Sequence, residues 1–267
     1  MPTRKREFNL VRDVKREEVF VSNHELFDDC RRRLLVAGAF ASGAALRPMR
    51  ALAQTTAAKL RIGVIGSGHI GGTIGGLWVK AGHPVLFSSR HPDELKDLVA
   101  GLGPLASAGT VAQAIDFGEA IFIAVPYGAL PQFGKDYGAA LNGKVVLDAC
   151  NAVAARDGAI ADEVEKTGIG ITSQKYLPGT RLVRAFNTMS YTIFAREANR
   201  PGPLLAIPIA GDDTSAVQVA AGLVRDAGFE PVIVGTLAAA RRFQRGGPGY
   251  GQSVSAAELR QTLSFPR

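Results

Sequence analysis

Apolar residues in this chain come in short blocks separated by turn-rich polar segments, the pattern of strands alternating with helices. Residues 59–65 read as a strand, β-branched towards its end, followed by a helix over about 71–80 and a second strand at Val85–Ser88. A helix over 93–100, a strand at 105–108 and a helix through 112–116 come next. Residues 120–125 form a continuous apolar run of strand type, ended by Pro126-Tyr127-Gly128, and 144–148 form another strand. Strands at 182–186 and 204–210 follow, then a helix over 214–227, a strand at 231–234 and a helix from 237 to about 245. No internal repeat recurs at a fixed period. The alternation predicts an α/β protein built on a doubly wound parallel sheet with a short C-terminal extension.

The first strand runs directly into Gly66-Ser67-Gly68-His69-Ile70-Gly71. A G-x-G-x-x-G pattern is weak alone, but here a strand precedes it and a helix follows, which is the context of a Rossmann dinucleotide site. The first glycine permits the tight turn, the second lets backbone approach a pyrophosphate, and the third lets helix and strand pack closely. The helix N-terminus then points its free N–H groups at the anion. The end of the second strand selects the dinucleotide. An acid there would accept hydrogen bonds from the ribose of NAD. This chain has Ser88-Ser89-Arg90, two hydroxyls and a guanidinium, which suit the 2′-phosphate of NADP. Asp93 is expected to open the next helix instead. Ligands of parallel sheets sit at strand C-termini, so Ala124, Val125 and Pro126 are expected to line the nicotinamide ribose.

Composition adds boundaries. The chain has 267 residues, 46% hydrophobic and 21% charged, which excludes a disordered chain or a coiled coil. Cys30 and Cys150 are too few for a zinc framework, and no metal site is expected. The net charge of +7 is concentrated early. Residues 1–53 hold 11 Lys and Arg against 7 Asp and Glu, leaving 20 against 17 for the rest, so nothing argues for a nucleic-acid partner. That early segment carries Arg31-Arg32-Arg33, an apolar stretch over 34–46 and an Ala51-Leu52-Ala53 site. The pattern resembles a twin-arginine export signal, which predicts a folded periplasmic protein starting at Gln54 with no membrane span after processing. A basic arm that stays attached, and a cytoplasmic protein begun at Met49, are the other readings. The expected organisation is a signal over 1–53, a linker over 54–58, an NADP-binding Rossmann domain over 59–180 and a small C-terminal α/β part over 181–267.

Several stretches together resemble the NADP oxidoreductases that depend on the deazaflavin coenzyme F(420), whose N-terminal half is shared with pyrroline-5-carboxylate reductases. They are Ile62 to Gly71, Ser88-Ser89-Arg90, Ala124-Val125-Pro126-Tyr127, Val183-Arg184-Ala185-Phe186-Asn187-Thr188, Gly211-Asp212-Asp213 and Gly228-Phe229-Glu230-Pro231-Val232. The resemblance implies that Ser67, His69, Ile70, Ser89 and Arg90 hold the phosphates of NADP. It also implies that Pro126, Asn187 and Thr188, with Tyr127, face a second small molecule that accepts hydride. Only 32 residues follow Gly235, too few for the helical C-terminal domain that other dehydrogenases of this type use.

The remaining candidates are structural. Asp212-Asp213 are expected to cap the following helix, and Cys150 to be a buried small hydrophobe. Asp148 and Asn151, at a strand end, are placed near the cofactor. Arg241, Arg242 and Arg245 read as a solvated face. The apolar side of 237–243 is expected to need a second copy to cover it, giving a homodimer. No nucleophile–base set stands out, which fits a reaction whose chemistry the cofactor carries. The expected activity is hydride transfer between NADP(H) and a flavin- or deazaflavin-like acceptor, with an NADP-binding sensor lacking turnover as the alternative.

Overall fold

The computed structural model describes residues 59–264, so the export pattern lies outside the described residues. In chain order the elements are β1 Ile62–Ile65, α1 His69–Lys80, β2 Val85–Ser88, α2 Lys96–Leu102, β3 Ala106–Gly109, α3 Val111–Phe117, β4 Ala120–Ile123, α4 Leu130–Leu141 and β5 Val145–Asp148. Then follow α5 Ala154–Asp157, α6 Ala159–Thr167, α7 Ile169–Tyr176, β6 Arg181–Arg184, α8 Tyr191–Glu197, β7 Ala206–Gly211, α9 Thr214–Asp226, β8 Glu230–Gly235 and α10 Ala256–Ser264. The sheet order is β3-β2-β1-β4-β5-β6-β7-β8. It is the Rossmann arrangement, with the order reversing beside β1, where ligands bind an open α/β sheet.

The first six strands are parallel. The expectation of a parallel sheet fails at one joint: β7 lies antiparallel to β6, and β8 is parallel to β7. A fully parallel addition needs a crossover that returns the chain to the starting edge. Here the link from β6 through α8 leaves the chain at the edge where β6 ends, and β7 runs back from there. The helix expected over 237–245 is a 3-10 segment, Leu237–Phe243. Helix α1 starts two residues earlier than expected, and the segment at 92–102 is a 3-10 turn, Pro92–Leu95, leading into α2.

Alternation along the strands divides the core. Ile62, Val64, Phe87, Phe122 and Leu147 face α1 and α9, whereas Ile65, Ile121, Ile123, Val146 and Leu182 face α3, α4 and α7. On the first face Trp78 is fully buried, its indole N–H donating to Leu223 O at 2.7 Å. Its ring meets Phe122 and Phe186 edge-on at 5.1 and 5.7 Å, and Phe186 in turn meets Phe194 and Phe229. Each such ring contributes about 1.5–3 kcal/mol by leaving water. That packing holds Phe186 at a φ of 58°, a strained value for a bulky residue, at the point where the chain turns from β6 toward the site.

Capping follows the sequence. Thr110 and Gln113 form a reciprocal capping box at α3, and Asp213 accepts the Ala216 N–H at the start of α9. Asp212, expected to cap the same helix, instead accepts the Leu237 N–H at 2.9 Å, at the start of the 3-10 segment. Leu237, Ala240 and Phe243 are buried against the chain's own α7, so the apolar face that suggested a second copy is already covered. Among the described residues no helix is long and apolar enough to cross a membrane.

Candidate functional site

A cleft of about 590 Å³ opens at the C-terminal ends of β1, β2 and β4. Gly66, Ser67, Gly68, Ser88, Ser89 and Arg90 form one side, and Ala124, Val125 and Pro126 form another. The glycines behave as their positions require. Gly66 has a φ of +89°, and a Cβ there would lie 2.6 Å from Ala124 O. A Cβ at Gly71 would lie 2.0 Å from Gly66 O, whereas one at Gly68 would meet nothing within 4 Å. Gly68 therefore borders the open space that a pyrophosphate needs. His69, Ile70 and Gly71 open α1, whose first turn holds no acidic side chain and no side-chain cap. Its N–H groups are left for an anion. Among the described residues no group of three side chains could hold a metal ion.

Ser67 Oγ donates to Ser88 O at 3.0 Å and ties the loop to the end of β2. Ser88 Oγ is buried without a hydrogen-bond partner among the described residues, and Ser89 Oγ accepts the His91 N–H at 3.0 Å. Arg90 is exposed on the cleft wall and makes no ion pair among the described residues. Asp93 turns away to Lys96, at 2.8 Å, which holds its carboxyl below the usual range. Glu94, which the pattern did not single out, stands on the cleft rim. These residues fit an NADP dinucleotide: an uncapped helix N-terminus, an open glycine, a buried unpartnered hydroxyl and an unpaired guanidinium beside it.

The second-ligand residues fall differently. Tyr127 was expected to face that ligand, but it is fully buried, its hydroxyl bonded to Ser173 Oγ at 3.1 Å and near Ile169 O at 3.3 Å. Burial, aided by Asp148, pushes its phenol well up, and the ring is part of the core under α7. Asn187 and Thr188 lie at the right edge but inside a junction, each 1% exposed. Asn151 Nδ2 donates to Asn187 O at 2.6 Å, and Asn187 Nδ2 donates to Phe243 O at 3.1 Å. Asn187 Oδ1 and Thr188 Oγ1 have no hydrogen-bond partner among the described residues.

Under this junction Asp148 and Arg184, both fully buried, form an ion pair across the ends of β5 and β6. Arg184 Nη2 donates to Cys150 O at 2.6 Å, and the Cys150 N–H donates to Asp148 Oδ1 at 2.8 Å. Asp148 is thus a support below the site rather than a cofactor contact. Burial pushes the Cys150 thiol up, so it is an inert small side chain, as expected.

Sequence reasoning missed one pair at this edge. Tyr191, the first residue of α8, stacks on His69 with centroids 4.3 Å apart and planes 12° from parallel. The His was visible in the glycine loop; nothing in the linear pattern links it to a tyrosine in another element. The stack joins the first turn of α8 to the first turn of α1.

Fold and cleft together have the form of a Rossmann dinucleotide-binding domain. Residues 61–152 match the family model described as NADP oxidoreductase, coenzyme F(420)-dependent. The chain is also 28% identical over 201 residues to Metalloreductase STEAP3 of Rattus norvegicus, a match covering 72% of this chain and 37% of that protein. The chain thus spans well under half the length of that relative. Among solved structures, a hypothetical protein from Sinorhizobium meliloti shares the fold at a TM-score of 0.62 and 24% identity, over 74% of this chain and 95% of that one. A protein from Arthrobacter sp., described as an F(420)-dependent NADP-reductase, matches at a TM-score of 0.59 and 22% identity, over 68% and 87%.

Proposed function

We propose that the protein transfers hydride between NADP(H) and a flat, flavin- or deazaflavin-like acceptor bound at the C-terminal edge of the sheet. The observation that carries this reading is the end of β2, where an unpaired Arg90 and the unpartnered Ser88 hydroxyl stand on the cleft wall. When bound, the cofactor supplies a hydride; the acceptor takes it with one proton from solvent and is reduced by two electrons. The chain's part is to hold and orient: α1 and Gly68 receive the pyrophosphate, and Ala124 to Pro126 bound the nicotinamide end. The buried Asp148–Arg184 pair keeps the adjacent turn rigid.

Titration of nicotinamide fluorescence with NADPH and NADH tests the cofactor half. One charge-assisted hydrogen bond is worth about 1.5–3 kcal/mol, and 1.4 kcal/mol is a factor of ten. Arg90→Ala should weaken NADPH binding by about one to two decades and leave NADH nearly unchanged, and Ser89→Asp should move preference toward NADH. Equal binding of both by the wild type, or equal losses in Arg90→Ala, would refute it. Tight NADPH binding with no oxidation across flavins, deazaflavin and quinones would favour a sensor over an enzyme.

The export pattern supports a second proposal, that the protein leaves the cytoplasm folded. N-terminal mass spectrometry of native protein should find Gln54 first; an intact Met1 or a Met49 start would sink it.

A further inference from the structure

A second cavity, of about 650 Å³, lies along the same edge of the sheet as the dinucleotide cleft. Topology brings its two walls there. The 3-10 segment Leu237–Phe243 begins at the opposite edge, where Leu237 is held by Asp212 and the neighbouring Asp213 pairs with Arg181 at the start of β6. It ends where β6 ends, with Phe243 O on Asn187 Nδ2. Gln244, Arg245 and Tyr250 are therefore delivered beside the Asn151–Asn187 junction. The other wall is α5 and α6. Helix α5 is tied to the turn after Pro126, because the Gly128 N–H donates to Asp157 Oδ1 at 3.1 Å. The turn that bounds the cleft is thus tied to a helix that contributes Ala154 to the wall of this cavity.

The lining has a distinct chemistry. Val164 and Ile169 are buried and give an apolar floor. Gln244 is 8% exposed; its Oε1 accepts the Ile169 N–H at 3.0 Å, which fixes the amide and leaves Nε2 as an oriented donor. Arg245 follows on the same wall, exposed and without an ion pair among the described residues. Facing them, α6 presents Asp162 and Glu165. A fixed amide donor and a guanidinium suit the carbonyl edge of a ring, and carboxylates suit hydroxyl donors. One guanidinium against two carboxylates does not suit a ligand that carries a phosphate dianion.

We infer that this cavity holds the hydride acceptor, and that the acceptor is an uncharged flavin of the riboflavin type. The ring carbonyls lie toward Gln244 and Arg245, and the hydroxylated chain lies toward Asp162 and Glu165. The inference rests on the hydride-transfer reading above and narrows its acceptor to an unphosphorylated ring.

The test uses the full chain loaded with NADP⁺, titrated with riboflavin and separately with FMN by flavin fluorescence. Riboflavin should bind at least about tenfold tighter than FMN, the equivalent of one 1.4 kcal/mol step. Arg245→Ala should weaken riboflavin about tenfold. So should Gln244→Glu, which keeps an acceptor for the Ile169 N–H while removing the donor. Both variants should bind NADPH as the wild type does. Neutralising the opposite wall with Asp162→Asn and Glu165→Gln together should bring FMN close to riboflavin. Absence of riboflavin binding by a protein that binds NADPH overturns the inference while leaving the cofactor reading intact. So does FMN binding tighter than riboflavin, or unchanged riboflavin affinity in both single variants. A wild type that fails to bind NADPH overturns the cofactor reading, and this inference with it.

Discussion

A methyl group at Gly71 would lie 2.0 Å from the Gly66 carbonyl oxygen, and one at Gly68 would touch nothing in the protein within 4 Å. The two glycines of one motif therefore separate stability from binding. Gly71→Ala forces α1 off β1, and overpacking of this kind costs about 1–3 kcal/mol. It should lower the melting temperature by several degrees in a thermal scan. Gly68→Ala should leave the melting temperature within about a degree while lowering NADPH affinity about tenfold or more, since its methyl occupies space intended for pyrophosphate. Equal melting temperatures for the two variants would contradict this division. At the same scale Tyr127 shows the limit of reading a side chain from its neighbours. Its place after Pro126 was legible, but the direction of its ring was set by Ser173 and α7, 46 residues further on.

Pairs of elements carry the next level. The Asp148–Arg184 pair joins β5 to β6 with both side chains fully buried, where neither charge can be left alone. Asp148→Asn should cost about 3–5 kcal/mol in denaturant unfolding, because the guanidinium stays buried without its counter-charge. Replacing both residues together, Asp148→Leu with Arg184→Met, should recover much of that loss; a double variant no better than the single one would refute the argument. Element positions were largely legible. The strands expected at 85–88, 120–125 and 144–148 sit within two residues of β2, β4 and β5, since a continuous buried apolar run has few alternatives. Strand direction was not legible. The run at 204–210 reads equally well in either sense, and only the route through α8 makes β7 antiparallel. The helical type of 237–243 was also hidden, because Leu237, Ala240 and Phe243 repeat every three residues, a spacing that α and 3-10 forms share. The glycine loop and the Ser88-Ser89-Arg90 triplet were legible as neighbours on one cleft because each pattern is local. The Asn151–Asn187–Phe243 junction and the His69–Tyr191 stack were not, because each joins residues from distant elements.

At the scale of the molecule, the reversal at β7 divides the edges of the sheet. Six strands end at the edge that carries the cleft, and β7 and β8 end at the opposite edge, so the cleft is lined by the first half of the chain. After β8 the chain returns to the cleft edge through the 3-10 segment Leu237–Phe243 and the loop after it. Trp78 lies in α1, whose first turn borders the cleft, and packs on the sheet face shared with α9. It is the chain's one tryptophan and is fully shielded from water. Its emission should accordingly be blue-shifted, uniform and insensitive to soluble quenchers. Reduced nicotinamide absorbs in the near-ultraviolet band where such an indole emits, and the oxidised form does not. Saturation with NADPH should dim Trp78 by energy transfer while NADP⁺ leaves it bright, and adding a competent acceptor should restore the light as hydride departs. The folded core thus contains its own optical gauge of redox state, with no label to attach.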